Sequence, residues 1–151
     1  MEGDVVGQEP PDLERLIAEL MEEIARREAE HFSAKVLEEA RHPRNVGAML
    51  EPDGHAALNG ACGDKMEVFL RVKGPHIERA TFLTDGCGPT VACGSRLTAM
   101  VQGKTLDEAA AIRAADLVAA LDGLPEEHVH CASLAVNTLR LRMSTPLPGL
   151  A

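Results

Sequence analysis

The stretch from Lys65 to Thr84 constrains the fold of this chain more than any other. In Lys65–Val72, Met66, Val68, Leu70 and Val72 point one way, and Lys65, Glu67 and Arg71 the other. A period of two belongs to a half-buried strand. Lys73-Gly74-Pro75-His76 turns the chain, and Ile77–Thr84 reads as the returning strand. Cys62 and Asp64 stand just before the first strand of this hairpin, and Cys87 just after the second. Antiparallel pairing joins those ends. The hairpin alone therefore predicts Cys62 and Asp64 near Cys87.

Cys87 opens a second informative stretch, which runs on to Ser95 and also holds Cys93. Gly86 and Gly88 flank Cys87, and glycine permits both positive φ and close approach. Pro89 suits the first position of a helix. Cys87 is thus expected at a helix N-terminus, where unpaired N–H groups and the helix dipole favour a thiolate. Cys87 and Cys93 can at first be read as a pair. On a helix over Pro89–Gln102, however, Cys93, Leu97, Met100 and Val101 fall on one core-facing stripe. That makes Cys93 a small buried side chain, with a redox or spare-sulfur role near the site as the alternative.

The remaining elements follow in order. Residues 1–11 read as disordered, ending in Pro10-Pro11. Asp12 is a plausible cap for an amphipathic helix to about Ala29, whose stripe is Leu13, Leu16, Ile17, Leu20, Met21 and Ile24. That stripe either packs onto its own domain or serves a partner or homodimer contact. Ser33 caps a short helix, Ala34–Arg41, which stops at His42-Pro43 because the residue before proline is pushed out of the α region. Val46–Leu50 is a candidate first strand, Pro52-Asp53-Gly54 a turn, and Asn59–Asp64 a small-residue loop. Thr105–Glu108 has the form of a capping box. A helix over about Ala115–Leu121 ends at Gly123. The last helix, about His130–Met143, carries Cys131, Leu134, Ala135 and Thr138 on one face, and Pro146 and Pro148 mark a frayed tail. The expected fold is α+β, a small antiparallel sheet with helices packed on one face. The expected organisation is an acidic extension over 1–31, a domain over 32–144 and a flexible tail over 145–151.

Composition narrows the function. The 151 residues suffice for one domain with a sizeable core. There is no Trp or Tyr and only three Phe, which argues against aromatic platforms for single-stranded nucleic acid. Ten acidic and three basic residues in 1–31 supply −7 of the net charge of −9. A phosphate-backbone binder needs a basic surface, so nucleic acid is a disfavoured partner. No run of about 18 apolar residues predicts a membrane span. The acidic N-terminus does not read as a secretory signal. Four cysteines without an export signal are expected as reduced thiols in the cytoplasm.

The polar residues near element ends are Cys62, Asp64, Cys87, His130 and Cys131. Three segments could bring three thiolates, a carboxylate and an imidazole to one point. Such donors suit Zn²⁺ or the iron of an iron–sulfur cluster. Spacing does not choose between them, because no Cys-x-x-Cys knuckle is present. The alternative is four unrelated thiols, some buried as small hydrophobes.

The wording of these segments is more specific. Arg41-His42-Pro43-Arg44-Asn45-Val46-Gly47, Ala61-Cys62-Gly63-Asp64-Lys65-Met66, Asp85-Gly86-Cys87-Gly88 and His130-Cys131 closely resemble IscU and the N-terminal domain of NifU, scaffolds for iron–sulfur cluster assembly. The resemblance covers about Phe32–Met143. It implies a three-stranded antiparallel sheet with helices on one face. It implies that Cys62, Cys87 and Cys131 hold a nascent [2Fe–2S] cluster, with Asp64 or His130 completing the ligand set. It implies a cysteine desulfurase as sulfur donor, iron as the other input, and apo iron–sulfur proteins as acceptors. Zn²⁺ often takes the same site in that family. Such a protein is a carrier rather than a turnover enzyme. An oxygen ligand is a poor match for iron–sulfur chemistry, so Asp64 should favour cluster release. Cys131, expected at a helix start and so partly thiolate, is the first choice as persulfide acceptor, with Cys62 or Cys87 as substitutes.

Some residues depart from the family pattern. Leu124-Pro125-Glu126-Glu127-His128 stands where many members have Leu-Pro-Pro-Val-Lys, the segment that docks a dedicated Hsp70-type chaperone. The Lys has become His and two acids appear, which argues against that docking and against the iron delivery linked to the Lys. His130 is present and no long insertion separates Cys87 from Cys131. Both argue against the SufU branch, whose members resemble zinc-bound sulfurtransferases and supply the alternative function. A zinc-stabilised adaptor is a further alternative. His31, His55 and His76 read as solvated and His42 as structural. His128 is a lesser candidate for a secondary ligand or proton donor, and Arg44-Asn45 read as organising a turn, with a partner contact as the alternative.

Overall fold

The computed structural model describes residues 12–61 and 63–143, with only the backbone of Met143. The readings for residues 1–11, Cys62 and the tail from 144 lie outside the described residues. The chain forms two compact units that part between His31 and Phe32.

The first unit is helix α1, Leu13–His31. Asp12 caps it as the sequence predicts, its carboxylate accepting from Glu14 N–H at 3.1 Å. Glu23 accepts from both Arg26 and Arg27. The predicted stripe is present, and Leu13, Leu16, Ile17, Leu20, Met21 and Ile24 are all exposed.

The second unit opens with α2, Ala34–Arg41, capped by Ser33. Strands β1 (Gly54–Asn59), β2 (Lys65–Lys73) and β3 (His76–Thr84) form an antiparallel sheet in the order β1-β2-β3. Ala56 pairs with Val68 and Val68 with Phe82, so all three share one face. That face is buried. Lys65, Glu67 and Arg71 lie on the other. The sheet differs from expectation in two places. The first strand is Gly54–Asn59 rather than Val46–Leu50, and Val46 makes only an isolated parallel bridge to Phe82. His55-Ala56-Ala57-Leu58 carries little β propensity of its own and becomes a strand by pairing with β2. A register shift between Arg71 and Val72 also takes Val72 out of the fully buried row.

Helices α3 (Gly88–Val101), α4 (Leu106–Ala110) and α5 (Ala114–Ala120) follow. A 3₁₀ turn over Glu126–His128 then leads into α6, Val129–Met143. The capping box at Thr105 and Glu108 forms in full. Helix α3 lies on β3 and α6 on β1 and β2. Gly94 sets how close α3 comes, because a Cβ there would stand 2.4 Å from the Phe82 ring. Cys93, Leu97, Val101, Cys131, Ala135, Val136 and Leu139 fill the space between helices and sheet.

A polar clamp fixes α3 from its outer side. Glu39, buried on α2, accepts from the Arg44 guanidinium at 2.5 and 3.1 Å and from Ser95 Oγ at 2.8 Å. The Arg44 backbone N–H donates to the same Ser95 hydroxyl at 2.8 Å. Asn45 takes a left-handed φ of 63° and ties its carbonyl to Phe82 N–H. Arg44 and Asn45 therefore organise the turn, as the sequence indicates. The construction leaves the starts of α3, α6 and β2 at one end of the domain.

Candidate functional site

Asp64 sits on the loop between β1 and β2. Gly63, with φ of 88°, makes the turn, and Gly60 N–H donates to the Asp64 carbonyl at 2.6 Å. The opposite strand end is stitched alongside: Lys65 N–H donates to Asp85 Oδ1 at 2.7 Å and Thr84 Oγ1 to the Lys65 carbonyl at 2.6 Å. Cys87 is the N-cap of α3, with extended backbone and an exposed side chain that does not cap. Its carbonyl accepts from Val91 N–H at 3.0 Å. Cys131 lies in the first turn of α6 and is fully buried. His130, half-buried, places Nε2 3.7 Å from Cys131 Sγ.

One further residue joins these groups. Thr90, three residues after Cys87 on the first turn of α3, is wholly buried. Its hydroxyl is 3.0 Å from Asp64 Oδ2, 3.3 Å from Cys131 Sγ and 3.8 Å from Cys87 Sγ. Asp64, Cys87 and Cys131, from three separate segments, thus surround one oxygen. The sequence reading named those three and missed Thr90. The available signal was its spacing, since positions i and i+3 share a helix face. Cys62 lies outside the described residues.

Gly86 is needed for close approach rather than for its backbone angle. A Cβ there would stand 2.7 Å from Thr90 Cβ and 2.8 Å from Asp64 Oδ2. Neither Gly86 nor Gly88 has positive φ, and a Cβ at Gly88 would meet only Ala40 at 3.7 Å. The conformational freedom expected of this pair is therefore not what the turn uses.

Cys93 does not join the cluster. It is buried among the core residues, and burial, with Cys131 and Cys87 nearby, pushes its thiol far above the ordinary value. It behaves as the small hydrophobe the helical stripe predicts. The other histidines divide. His31, His42, His55 and His76 are exposed, although the His55 ring stacks on Phe69 at 4.6 Å. His128 is half-buried, 5.3 Å from Phe32 and 6.4 Å from His130 between ring centroids.

The gathered groups are of the kinds that ligate cations. Two sulfurs and a carboxylate lie around the Thr90 hydroxyl, with the His130 imidazole beside Cys131. Among the described residues Asp64 makes no ion pair. A soft or borderline metal is the partner such donors select. No helix among the described residues is long and apolar enough to cross a membrane.

Residues 31–145 match the family described as the NifU-like N terminal domain. The chain is 40% identical over 110 residues to the iron-sulfur cluster assembly scaffold protein IscU 1 of Archaeoglobus fulgidus, covering 72% of each chain. It is 38% identical over 114 residues to the IscU scaffold protein of Escherichia coli K12, covering 72% of this chain and 88% of that one. The fold is similar to the N-terminal crystal structure of a NifU-like protein from Brucella abortus. That match has a TM-score of 0.59 and 20% identity over 74% of this chain and 91% of that one.

Proposed function

This chain belongs to the family of NifU-like N-terminal domains, and we propose that it is a scaffold on which an iron–sulfur cluster is assembled and then handed on. The observation that carries this reading is the gathering of Asp64, Cys87 and Cys131 about one buried hydroxyl, with His130 alongside. The cluster is cargo, not a resident cofactor. The proposed cargo is [2Fe–2S], held by Cys62, Cys87 and Cys131, with Asp64 or His130 as the fourth ligand. Zn²⁺ can stand in the same place. The proposed sulfur donor is a cysteine desulfurase, and the acceptors are apo iron–sulfur proteins. The proposed scaffold domain is 32–144, with the acidic extension before it and the tail after it. The thiols require a reducing compartment, which makes the cytoplasm the proposed location.

Each ligand type has a job in this scheme. Thiolates match iron and grip it. The Asp64 oxygen matches it poorly and lets go first. Asp64→Ala should therefore lengthen cluster lifetime severalfold, read as the decay of visible absorption under air. A decay as fast as that of the unaltered protein would remove Asp64 from this role. Cys131 is the proposed persulfide acceptor, and its burial requires the site to open for sulfur delivery, whereas Cys87 is already exposed. Mass spectrometry of single Cys→Ser variants after incubation with desulfurase and cysteine identifies the thiol that gains sulfur.

Anaerobic reconstitution with iron, cysteine and desulfurase tests the whole reading. A scaffold develops sulfur-to-iron charge-transfer absorption and loses it to an apo-ferredoxin. A zinc-bound sulfurtransferase keeps Zn²⁺ and accelerates the desulfurase with no chromophore. That second result would replace the scaffold reading.

A further inference from the structure

We propose that Thr90 is the positioning residue of this centre: its hydroxyl holds the Asp64 carboxylate and the Cys131 thiol at one point before any metal arrives. The inference rests on the reading of Asp64 and Cys131 as ligands, and it adds a residue that is itself no ligand.

The argument starts from what buried threonines on the helices of this domain do. Thr98 donates to the carbonyl four residues back, Gly94, at 2.8 Å. Thr138 does the same to Leu134 at 2.7 Å. Both donate the hydroxyl proton within their own helix, although the Thr98 oxygen also accepts from Asn45 Nδ2 at 3.2 Å. Thr90 spends it elsewhere. Its partners are Asp64 on the β1–β2 loop and Cys131 on α6, 26 and 41 residues away. A buried hydroxyl is costly unless bonded, and every partner of this one is a side chain of the site.

A hydroxyl carries one proton and two acceptor lone pairs. It can donate to one of these neighbours while accepting from another, so a single oxygen ties a loop and a helix together. Gly86 leaves the room for this contact, since any side chain there would strike both Thr90 and Asp64. Groups that orient metal ligands in this way typically contribute about ten- to a hundredfold in metal affinity.

The test is a Co²⁺ titration of the full chain, reduced and metal-free. It is followed by sulfur-to-cobalt charge-transfer absorption and by competition with Zn²⁺. Thr90→Val keeps the shape and deletes the hydroxyl. Thr90→Ser keeps the hydroxyl and deletes the methyl. We expect T90V to bind Co²⁺ about ten- to a hundredfold more weakly, and T90S to stay within a few-fold of the unaltered protein. If T90V does not fold, as read by circular dichroism, Thr90→Ala takes its place beside T90S; those two differ by the hydroxyl alone. In an Asp64→Ala background the valine change should cost less than it does alone. Equal affinity of T90V and the unaltered protein overturns the inference, and so does equal loss in the serine and valine variants. An unaltered protein that gives no charge-transfer band overturns the ligand reading as well, which separates the two failures.

Discussion

Of the buried hydroxyls on helix α3, Thr90 and Ser95 keep the most different company. Ser95 donates to Glu39 and accepts from the Arg44 backbone, while the Arg44 guanidinium grips the same carboxylate. Arg96 adds a second cation at 3.9 Å. The Glu39 carboxylate in turn holds Arg44 more firmly protonated than usual. Thr90 faces a carboxylate and two sulfurs instead, and that carboxylate has no ion pair among the described residues. The first network is completed by folding. The second, on the proposed reading, holds donors that a bound cation completes. A satisfied buried network rigidifies its surroundings, so the first also fixes the helix on which the second is built.

The hardest way to break this comparison is Arg44→Met. It leaves Glu39 buried without its main cation. Removing one partner of a buried pair costs about 3–5 kcal/mol, and the half-exposed Arg44 side chain puts this case near about 3 kcal/mol. Urea unfolding reads the loss as a lower midpoint. Co²⁺ affinity, measured where the variant is still folded, should change little. A fall in affinity as large as that expected for T90V would mean that the two networks are one.

A smaller effect sharpens the contrast from the other side. Gly86→Ala puts a methyl within 3 Å of Thr90 and Asp64. Overpacking costs about 1–3 kcal/mol, and the cheapest relief is to move Asp64 out of the cluster. We expect about 2 kcal/mol of destabilisation together with weaker Co²⁺ binding. Gly88→Ala is the matched control. It meets only ordinary contact, and helix propensity favours Ala over Gly by up to about 1 kcal/mol. Equal effects of the two substitutions would mean that Gly86 has no special place in the site.

The same two regions show how far the sequence could be read. The β2–β3 hairpin was legible because alternation is a local signal, and so was the capping box at Thr105. Strand β1 was not, since His55-Ala56-Ala57-Leu58 is a strand only through its partner. Asp64, Cys87, His130 and Cys131 stood out by residue type and by position at element ends. Thr90 did not, because a threonine in a helix announces nothing until the loop and α6 arrive beside it. The Glu39 clamp was hidden for a related reason: a glutamate on a short amphipathic helix reads as solvated, and only the return of Arg44 and Ser95 makes its burial affordable.

Cys93 lies on α3 between the two hydroxyls and offers the smallest test. Burial holds its thiol well above the ordinary value of 9.0. Above that pH the unfolded chain releases the proton and the folded chain keeps it. The unfolded state then binds fewer protons, so stability falls as pH rises. This one group should remove about 1.4 kcal/mol by pH 10, and nothing near neutrality. Cys93→Ala should therefore flatten the decline between pH 8.5 and 10.5, read by urea unfolding at each pH. Iodoacetamide should meanwhile label exposed Cys87 and leave Cys93 untouched until the chain unfolds, because the thiolate is the reacting form. An unchanged pH slope together with prompt alkylation of Cys93 would move that sulfur from the core into the reactive set. The helix would then present thiols along its length rather than only at its first turn.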